Sequence, residues 1–331
     1  MTRVAGARVT ARENENKEDY MAAIIAAVVN EKGGVGKTTS TYALGTAFAR
    51  AGLRTLMVDM DPQRASLTLA TGVSRGSKSV ADAMQAVIEA DRDAEEGDTA
   101  TVVGAGIDVL TPHTVAVAPN LDLIPSGKEL TSAEHVLRDV PERDRILAEV
   151  LAPAADAYDI ILIDCPPSLG VLVINAMGAA QTLIIPVSPE YLSAGSLEDL
   201  FDTVRRVKRR RLNPNLSIAG IILTDADLRT THAREITQEI RAQYGADLPI
   251  LGVVKHATEV NNAAQAGRSI VDYAPKHPAA LAYAEIADAL LHHWQRAAPT
   301  PAPTTATTEP TEPTAAVPTA TRAGASGVSH A

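Results

Sequence analysis

The run from Glu31 to Thr39, EKGGVGKTT, sets Lys32 before Gly33 and Gly34, then Val35, Gly36, Lys37, Thr38 and Thr39, directly after the apolar stretch AAIIAAVV. A glycine-rich turn between a strand and a helix lets successive backbone N–H groups converge on phosphate oxygens, and the helix start adds the positive end of its dipole. Lys37 supplies a mobile point charge. The Thr38 hydroxyl stands where it can complete the coordination of the Mg²⁺ that accompanies a nucleotide. The ordinary motif has glycine where this chain has Glu31, and the variant here adds Lys32. These residues point to a nucleoside triphosphate site. A chance glycine-rich turn would have to gather two lysines and a hydroxyl in the correct strand–turn–helix setting.

A phosphate loop alone does not separate kinase, transporter ATPase, GTPase and switch. Acidic residues narrow the field. RTLMVDMDPQ ends an apolar run in Asp59 and continues to Asp61, and YDIILIDCPP delivers Asp164 at the end of another. Such positions lie at the carboxyl edge of the sheet, where ligands of open α/β folds collect. Either Asp59 or Asp61 could face the triphosphate. Asp61 has the better position for orienting water toward the γ-phosphorus, with Asp59 supporting the loop or the magnesium shell, and Asp164 is the metal-site carboxylate. An acidic residue at a strand end can also be a loop or helix cap, and the upstream phosphate loop favours the metal role. Phosphoryl transfer asks mainly for positioning and charge stabilisation, so Asp61 needs no strongly raised pKa.

The elements that must hold these residues alternate. Strands are expected at 22–30, 54–59, 107–111, 121–125, 159–164, 181–186, 217–223 and 249–254, and helices at 37–51, 79–94, 130–152, 190–211, 231–244 and 278–293. The nearly continuous apolar runs ILIID and GIILT suit parallel strands covered on both faces. The expected fold is α/β: a three-layer, mostly parallel twisted sheet of the P-loop NTPase type, doubly wound by helices on both faces. Of 331 residues, 1–20 read as a flexible extension, 21–294 as one ATPase domain, and 295–331 as a disordered Ala/Pro/Thr-rich tail with too little large apolar surface to offset chain ordering. No secretory signal and no bilayer-length apolar stretch is evident, so a cytoplasmic protein is expected. Cys165 is the only cysteine, which removes any intrachain disulfide or cysteine-built metal centre. The histidines show no metal-ligand grouping. A net charge of -10 and 3% aromatic residues mean that nucleic-acid binding must use a local basic patch and little base stacking.

EKGGVGKTT, VDMDPQ, LIDCPPSLG and PVSPEYLSAGSLEDL together resemble the ParA/Soj class of chromosome and plasmid partition ATPases, within the ParA/MinD family of deviant Walker-motif ATPases, across roughly residues 23–293. The resemblance implies ATP as the nucleotide, with Mg²⁺. It implies that Lys32 is the signature lysine that reaches the partner's phosphate site in an ATP-dependent homodimer, and that Lys37 binds phosphate in its own subunit. Thr38 and Thr39 match the positions around magnesium and the phosphates, Asp59 the first aspartate after the second strand, Asp61 the aspartate needed for hydrolysis, and Asp164 the second-strand-edge magnesium carboxylate. Hydrolysis would then time the life of the dimer.

The resemblance also implies sequence-independent binding to double-stranded DNA, hence a nucleoid-associated protein. RRVKRRR at 205–211 offers a reason to look there. At helical spacing Arg205, Lys208 and Arg209 share one face, with Arg206 and Arg210 on a neighbouring line. Such a patch follows phosphates and carries little base information. The alternative is a solvated helix whose charges pair with Glu198, Asp199 and Asp202. Arg229 matches a family arginine associated with DNA. HATEVNNAAQAG departs from the family by placing Glu259 where a basic residue is common, and Lys255-His256 replace the usual proline–arginine pair. A ParB-like centromere-binding partner that stimulates hydrolysis is a further family implication. The nearest rival is a ParA-like ATPase that positions a non-DNA cellular cargo through another adaptor. An iron–sulfur carrier or a non-enzymatic module is less well matched, and the terminus lacks the amphipathic face of a MinD-type membrane helix.

Overall fold

A computed structural model describes residues 23–74, 78–95, 109–137, 143–189, 197–226, 230–244 and 248–297. Among the described residues eight strands form one sheet: β1 (Ile24–Val28), β2 (Thr55–Asp59), β3 (Val115–Ala118), β4 (Leu121–Ile124), β5 (Ile160–Asp164), β6 (Thr182–Val187), β7 (Ser217–Ala226) and β8 (Ile250–Lys255). Their order is β3-β4-β2-β5-β1-β6-β7-β8. Every pairing is parallel except β3 with β4.

The near-continuous apolar strands are explained by two-sided burial. In β5, Ile161 and Ile163 enter one core layer, while Ile160 and Leu162 enter the layer on the opposite face. The first layer receives Met84 and Val87 of α3 (Val80–Glu95), Leu130 of α4 (Glu129–Val136), Leu147 of α5 (Ile146–Leu151), Leu172 of α6 (Val171–Ala179), Val204 of α7 (Glu198–Arg209) and Ile240 of α8 (Thr231–Tyr244). The second is filled by Leu44 and Phe48 of α1 (Lys37–Arg50), Ala263 of α9 (Thr258–Gln265), Ile270 of α10 (Ile270–Tyr273), and Tyr283 and Ile286 of α11 (Pro278–Ala297). The register pairs Val28 with Asp164 and Asp59 with Asp164, so β1, β2 and β5 end level at the carboxyl edge. The expected doubly wound parallel sheet is present.

Several elements differ from the sequence expectation. The described part of 107–111 is not a strand: Thr111–His113 is a short 3-10 turn, and the edge strand lies later, at β3. Asn120, at φ 60, turns it back onto β4, a left-handed position that asparagine tolerates. The helix expected over 130–152 is two helices, α4 and α5, followed by a 3-10 turn containing Pro153. Within 190–211 the helix begins at Glu198, and residues 190–196 lie outside the described residues. α6 was not expected. It is packed by α5, α7 and β1, so it carries no polar stripe to reveal the helical period. α11 runs to Ala297, three residues into the segment read as tail; residues 1–20 and 298–331 lie outside the described residues. Among the described residues no helix is long and apolar enough to cross a membrane.

Candidate nucleotide site

The loop between β1 and α1 is built for an anion. Gly34 and Gly36 both have φ 80, and Gly36 is the N-cap of α1 with no side-chain cap. The first-turn N–H groups therefore have no side-chain acceptor of their own helix start. Two contacts that sequence reading missed shape the loop. Thr224 Oγ1 of β7 donates to the Val35 carbonyl at 2.8 Å, and Asn30 Nδ2 donates to the Pro186 carbonyl at 2.8 Å while its Oδ1 accepts the Lys32 N–H at 3.0 Å. Neither residue belongs to the motif, and their sequence distances from their partners gave no signal. Lys37 is buried, and its Nζ donates to the Lys32 carbonyl at 2.8 Å. Burial lowers its pKa, against the opposing pull of Asp164. A Cβ on Gly36 would stand 3.4 Å from Thr224 in a left-handed backbone. Gly36→Ala is accordingly expected to weaken ATP binding by about tenfold or more and to destabilise the fold by about 1–2 kcal/mol, checked by nucleotide titration and thermal melting.

The carboxylates fall into two groups. Asp164 is fully buried, accepts from Thr38 Oγ1 at 2.7 Å, and has Thr41 Oγ1 at 3.3 Å from its other oxygen. Burial, then the charge of Asp59, pushes its pKa up to about 8. Asp59 is also fully buried, but its oxygens are occupied: Oδ1 accepts the Asp61 N–H at 3.0 Å, and Oδ2 accepts the Thr68 N–H at 2.8 Å and the Thr68 hydroxyl at 2.7 Å. Burial raises its pKa to about 6 against those bonds. The network closes through Ser126, whose N–H donates to Thr68 Oγ1 at 2.9 Å and whose hydroxyl donates to the Asp61 carbonyl at 2.8 Å. Thr68 and Ser126 were not anticipated from sequence. Asp61 Oδ1 accepts the N–H groups of Gln63 and Arg64 at 3.0 and 3.1 Å, and Asp61 lines the cleft.

Of the three residues expected at the metal, Thr38 and Asp164 fit a divalent ion: the hydroxyl of Thr38, which lines the cleft, donates to the buried, charge-crowded carboxylate of Asp164 behind it. Asp59 accepts three hydrogen bonds from the loop and α2 region, an arrangement that suits the loop-supporting role of the two expected for it. The cleft has a volume of about 360 Å³ and is walled by Gly33, Gly36, Lys37, Thr38, Asp61 and Arg64, with Val260, Ala264 and Ile270 offering an apolar side. It can take a polyphosphate at the polar end and a flat apolar group at the other.

Comparison with known proteins gives the same outline. A family profile described as an AAA domain matches residues 22–218. An uncharacterised protein of Mycobacterium tuberculosis is 38% identical over 81% of this chain and 78% of its own length. The chromosome-partitioning ATPase Soj of Treponema pallidum is 36% identical over 78% of this chain and 93% of its own. The chain belongs to the ParA/Soj/MinD family of deviant Walker-motif P-loop ATPases. A cobyrinic acid a,c-diamide synthase of Mycobacterium smegmatis, solved with ADP and magnesium, superposes with a TM-score of 0.66 at 30% identity, covering 83% of this chain and 96% of its own. This ParA/MinD-family protein is an ATP-binding and ATP-hydrolysing enzyme that takes ATP with Mg²⁺.

Other expected residues of this family member lie apart from the cleft. In the parallel β6–α7–β7 unit the helix runs antiparallel to the strands, so the basic end of α7 sits toward the amino edge of the sheet, opposite the nucleotide. Asn213, just beyond it, bonds the carbonyls of Met177 and Ala180, which precede β6. Arg205 pairs with Asp202 and Arg206 donates to Thr203 Oγ1 at 3.0 Å. Lys208, Arg209 and Arg210 are exposed, and their side chains make no ion pair or hydrogen bond among the described residues. Arg229 lies outside the described residues. Glu259 lies in the first turn of α9, where its carboxylate is 3.5 Å from His277 Nε2, and His256 Nδ1 meets Asp225 Oδ1 at 2.5 Å.

Proposed function

We propose that this ATPase is a dimeric switch that holds double-stranded DNA without regard to sequence while ATP is bound, and lets go after slow hydrolysis stimulated by a ParB-like partner. Its cargo would be a plasmid or chromosomal region. The observation that carries the DNA part is the basic end of α7, where the side chains of Lys208, Arg209 and Arg210 are exposed and have no acidic partner among the described residues. Soj of Treponema pallidum, named a chromosome-partitioning ATPase, supports the cargo.

In the proposed cycle Lys37, Thr38 and the loop N–H groups bind the phosphates with Gly33, Gly34, Val35, Gly36 and Thr39. Thr38 and Asp164 hold Mg²⁺, which when bound neutralises phosphate charge. Asp61 orients water with the oxygen not engaged by Gln63 and Arg64, while the Asp59–Thr68–Ser126 network keeps its backbone in place. Lys32 reaches the second subunit's phosphates, so that turnover requires the dimer. Loss of the γ-phosphate removes contacts that hold the pair together.

The test is the ATPase rate and oligomeric mass of wild type, Lys32→Ala and Asp61→Ala in magnesium buffer, with and without unrelated duplex DNA. A wild-type ATP dimer that retains DNA is expected, with an Asp61→Ala dimer turning over about 100-fold more slowly and Lys32→Ala failing to enter the cycle. Three monomers with equal rates and no DNA binding would sink the proposal.

A further inference from the structure

The loop after β2 holds a further cation against the nucleotide cleft, and nothing in the phosphate-loop motif calls for it. Between Asp59 and α2 (Ser66–Ala70) the backbone is tied at each step. The Asp61 N–H donates to Asp59, its carbonyl accepts from Ser126 Oγ and from the Ala65 N–H at 3.2 Å, and its carboxylate accepts from the N–H groups of Gln63 and Arg64. Ala65 then turns left-handed, at φ 44, to enter α2. A non-glycine residue in that region costs about 1 kcal/mol or more, so the turn is imposed by its surroundings. The result is an arginine whose main chain is held while its side chain stays exposed on the cleft wall, beside Lys37, Thr38 and Asp61.

The Arg64 side chain makes no hydrogen bond or ion pair among the described residues. The other cleft arginine, Arg268, is engaged: its Nη2 donates to the Asp272 carbonyl at 2.8 Å and its guanidinium lies 5.9 Å from the Tyr273 ring centroid. Lys37 Nζ is bonded to the loop carbonyl of Lys32. Arg64 is therefore the cleft arginine with an uncommitted fork, and a guanidinium fork matches two oxygens of one phosphate. Its position follows that of Asp61, because the Arg64 N–H is bonded to the Asp61 carboxylate. If Asp61 faces the γ-phosphorus, as proposed above, Arg64 stands at the same end of the triphosphate.

We propose that Arg64 binds the terminal phosphate of ATP from within its own subunit, making it the residue by which the site distinguishes ATP from ADP. Because its backbone is bonded to Asp61 and leads directly into α2, the arrangement links the presence of that phosphate to the loop that positions Asp61. The assignment rests on the proposed place of Asp61, not on the DNA or partner reading.

The experiment is an equilibrium titration of the full chain with fluorescent ADP and with a fluorescent, non-hydrolysable ATP analogue, in Mg²⁺ and without DNA. Wild type, Arg64→Gln and Arg64→Lys are compared, each also in a Lys32→Ala background that removes the proposed reach across the dimer. Loss of a charge-assisted fork predicts about 10- to 100-fold weaker binding of the ATP analogue by Arg64→Gln, with ADP affinity changed less than about twofold and only part of the loss recovered by Arg64→Lys. The same loss is expected in the Lys32→Ala background. Equal weakening of ADP and ATP analogue would place Arg64 on the inner phosphates and overturn the proposal, as would no change in either. An effect that vanishes with Lys32→Ala would mean that Arg64 acts only within the dimer, which also overturns it. Arg64 is exposed, so melting temperatures within about 2 °C of wild type are expected for both variants.

Discussion

Asparagine in place of Asp164 is expected to abolish magnesium-dependent ATP turnover and yet to stabilise the nucleotide-free protein at alkaline pH. The carboxyl of Asp164 is pushed up to about 8, first by burial and then by the neighbouring charge of Asp59, with Thr38 and Lys37 opposing. In the unfolded chain it would titrate near 4. Between those values the folded protein holds a proton that the unfolded chain has released, so the associated stability is full below about 4 and is lost as pH rises through about 8. Asp59, raised to about 6, acts in the same direction over a lower window. Lys37, whose pKa is lowered by burial, acts in the opposite direction at higher pH. The clean quantity is therefore the difference between variant and wild type. In chelator, wild type should melt lower at pH 9 than at pH 6, and Asp164→Asn should shrink that gap by about 5 °C, since the amide is neutral throughout and still accepts from Thr38. Calorimetry at the two pH values measures the gap. A wild-type gap untouched by the substitution would mean that Asp164 is ionised in the apo fold.

Asp59→Ala is expected to lower kcat by about 100-fold or more while leaving the magnesium midpoint unchanged within about twofold. This carboxylate orders the loop by accepting from Asp61 and twice from Thr68. Alanine leaves the Asp61 and Thr68 N–H groups without their acceptor in a buried place, at a cost of about 2–4 kcal/mol in stability. The Asp61 backbone is then free to shift, and a small misplacement of a water-orienting group is costly in rate. Magnesium titrations of ATPase activity, beside urea unfolding, separate the two aspartates. If Asp59→Ala shifts the magnesium midpoint of its residual activity by about tenfold or more, Asp59 is a ligand and its hydrogen bonds are secondary.

Much of this was legible before any coordinates. The apolar runs that became β1, β2, β5, β6 and β7 were continuous because both faces of each are buried, which marks parallel sheet directly in composition. α6 was hidden by the same cause, since a helix enclosed by its neighbours shows no amphipathic period. The β3–β4 hairpin has its signal in Pro119-Asn120, a turn pair between two alternating segments, although only its second strand is among those expected.

By itself the sequence determined the phosphate loop, the acidic strand ends and the order of the layers, because these depend on neighbours along the chain: a glycine beside a lysine, an aspartate closing an apolar run. Tertiary structure decided how those residues divide their work. Asp59 and Asp61 are two positions apart, yet one is closed off by Thr68 and Ser126 from α2 and the β4 end while the other keeps a face on the cleft. The basic run at 205–211 and the phosphate loop came to opposite edges of the sheet because α7 must run antiparallel to β6 and β7. Arg64 gained its place from a left-handed turn at Ala65, held by hydrogen bonds to residues up to 65 positions away. Those distances close only when the sheet assembles, and so none of them is written in local pattern.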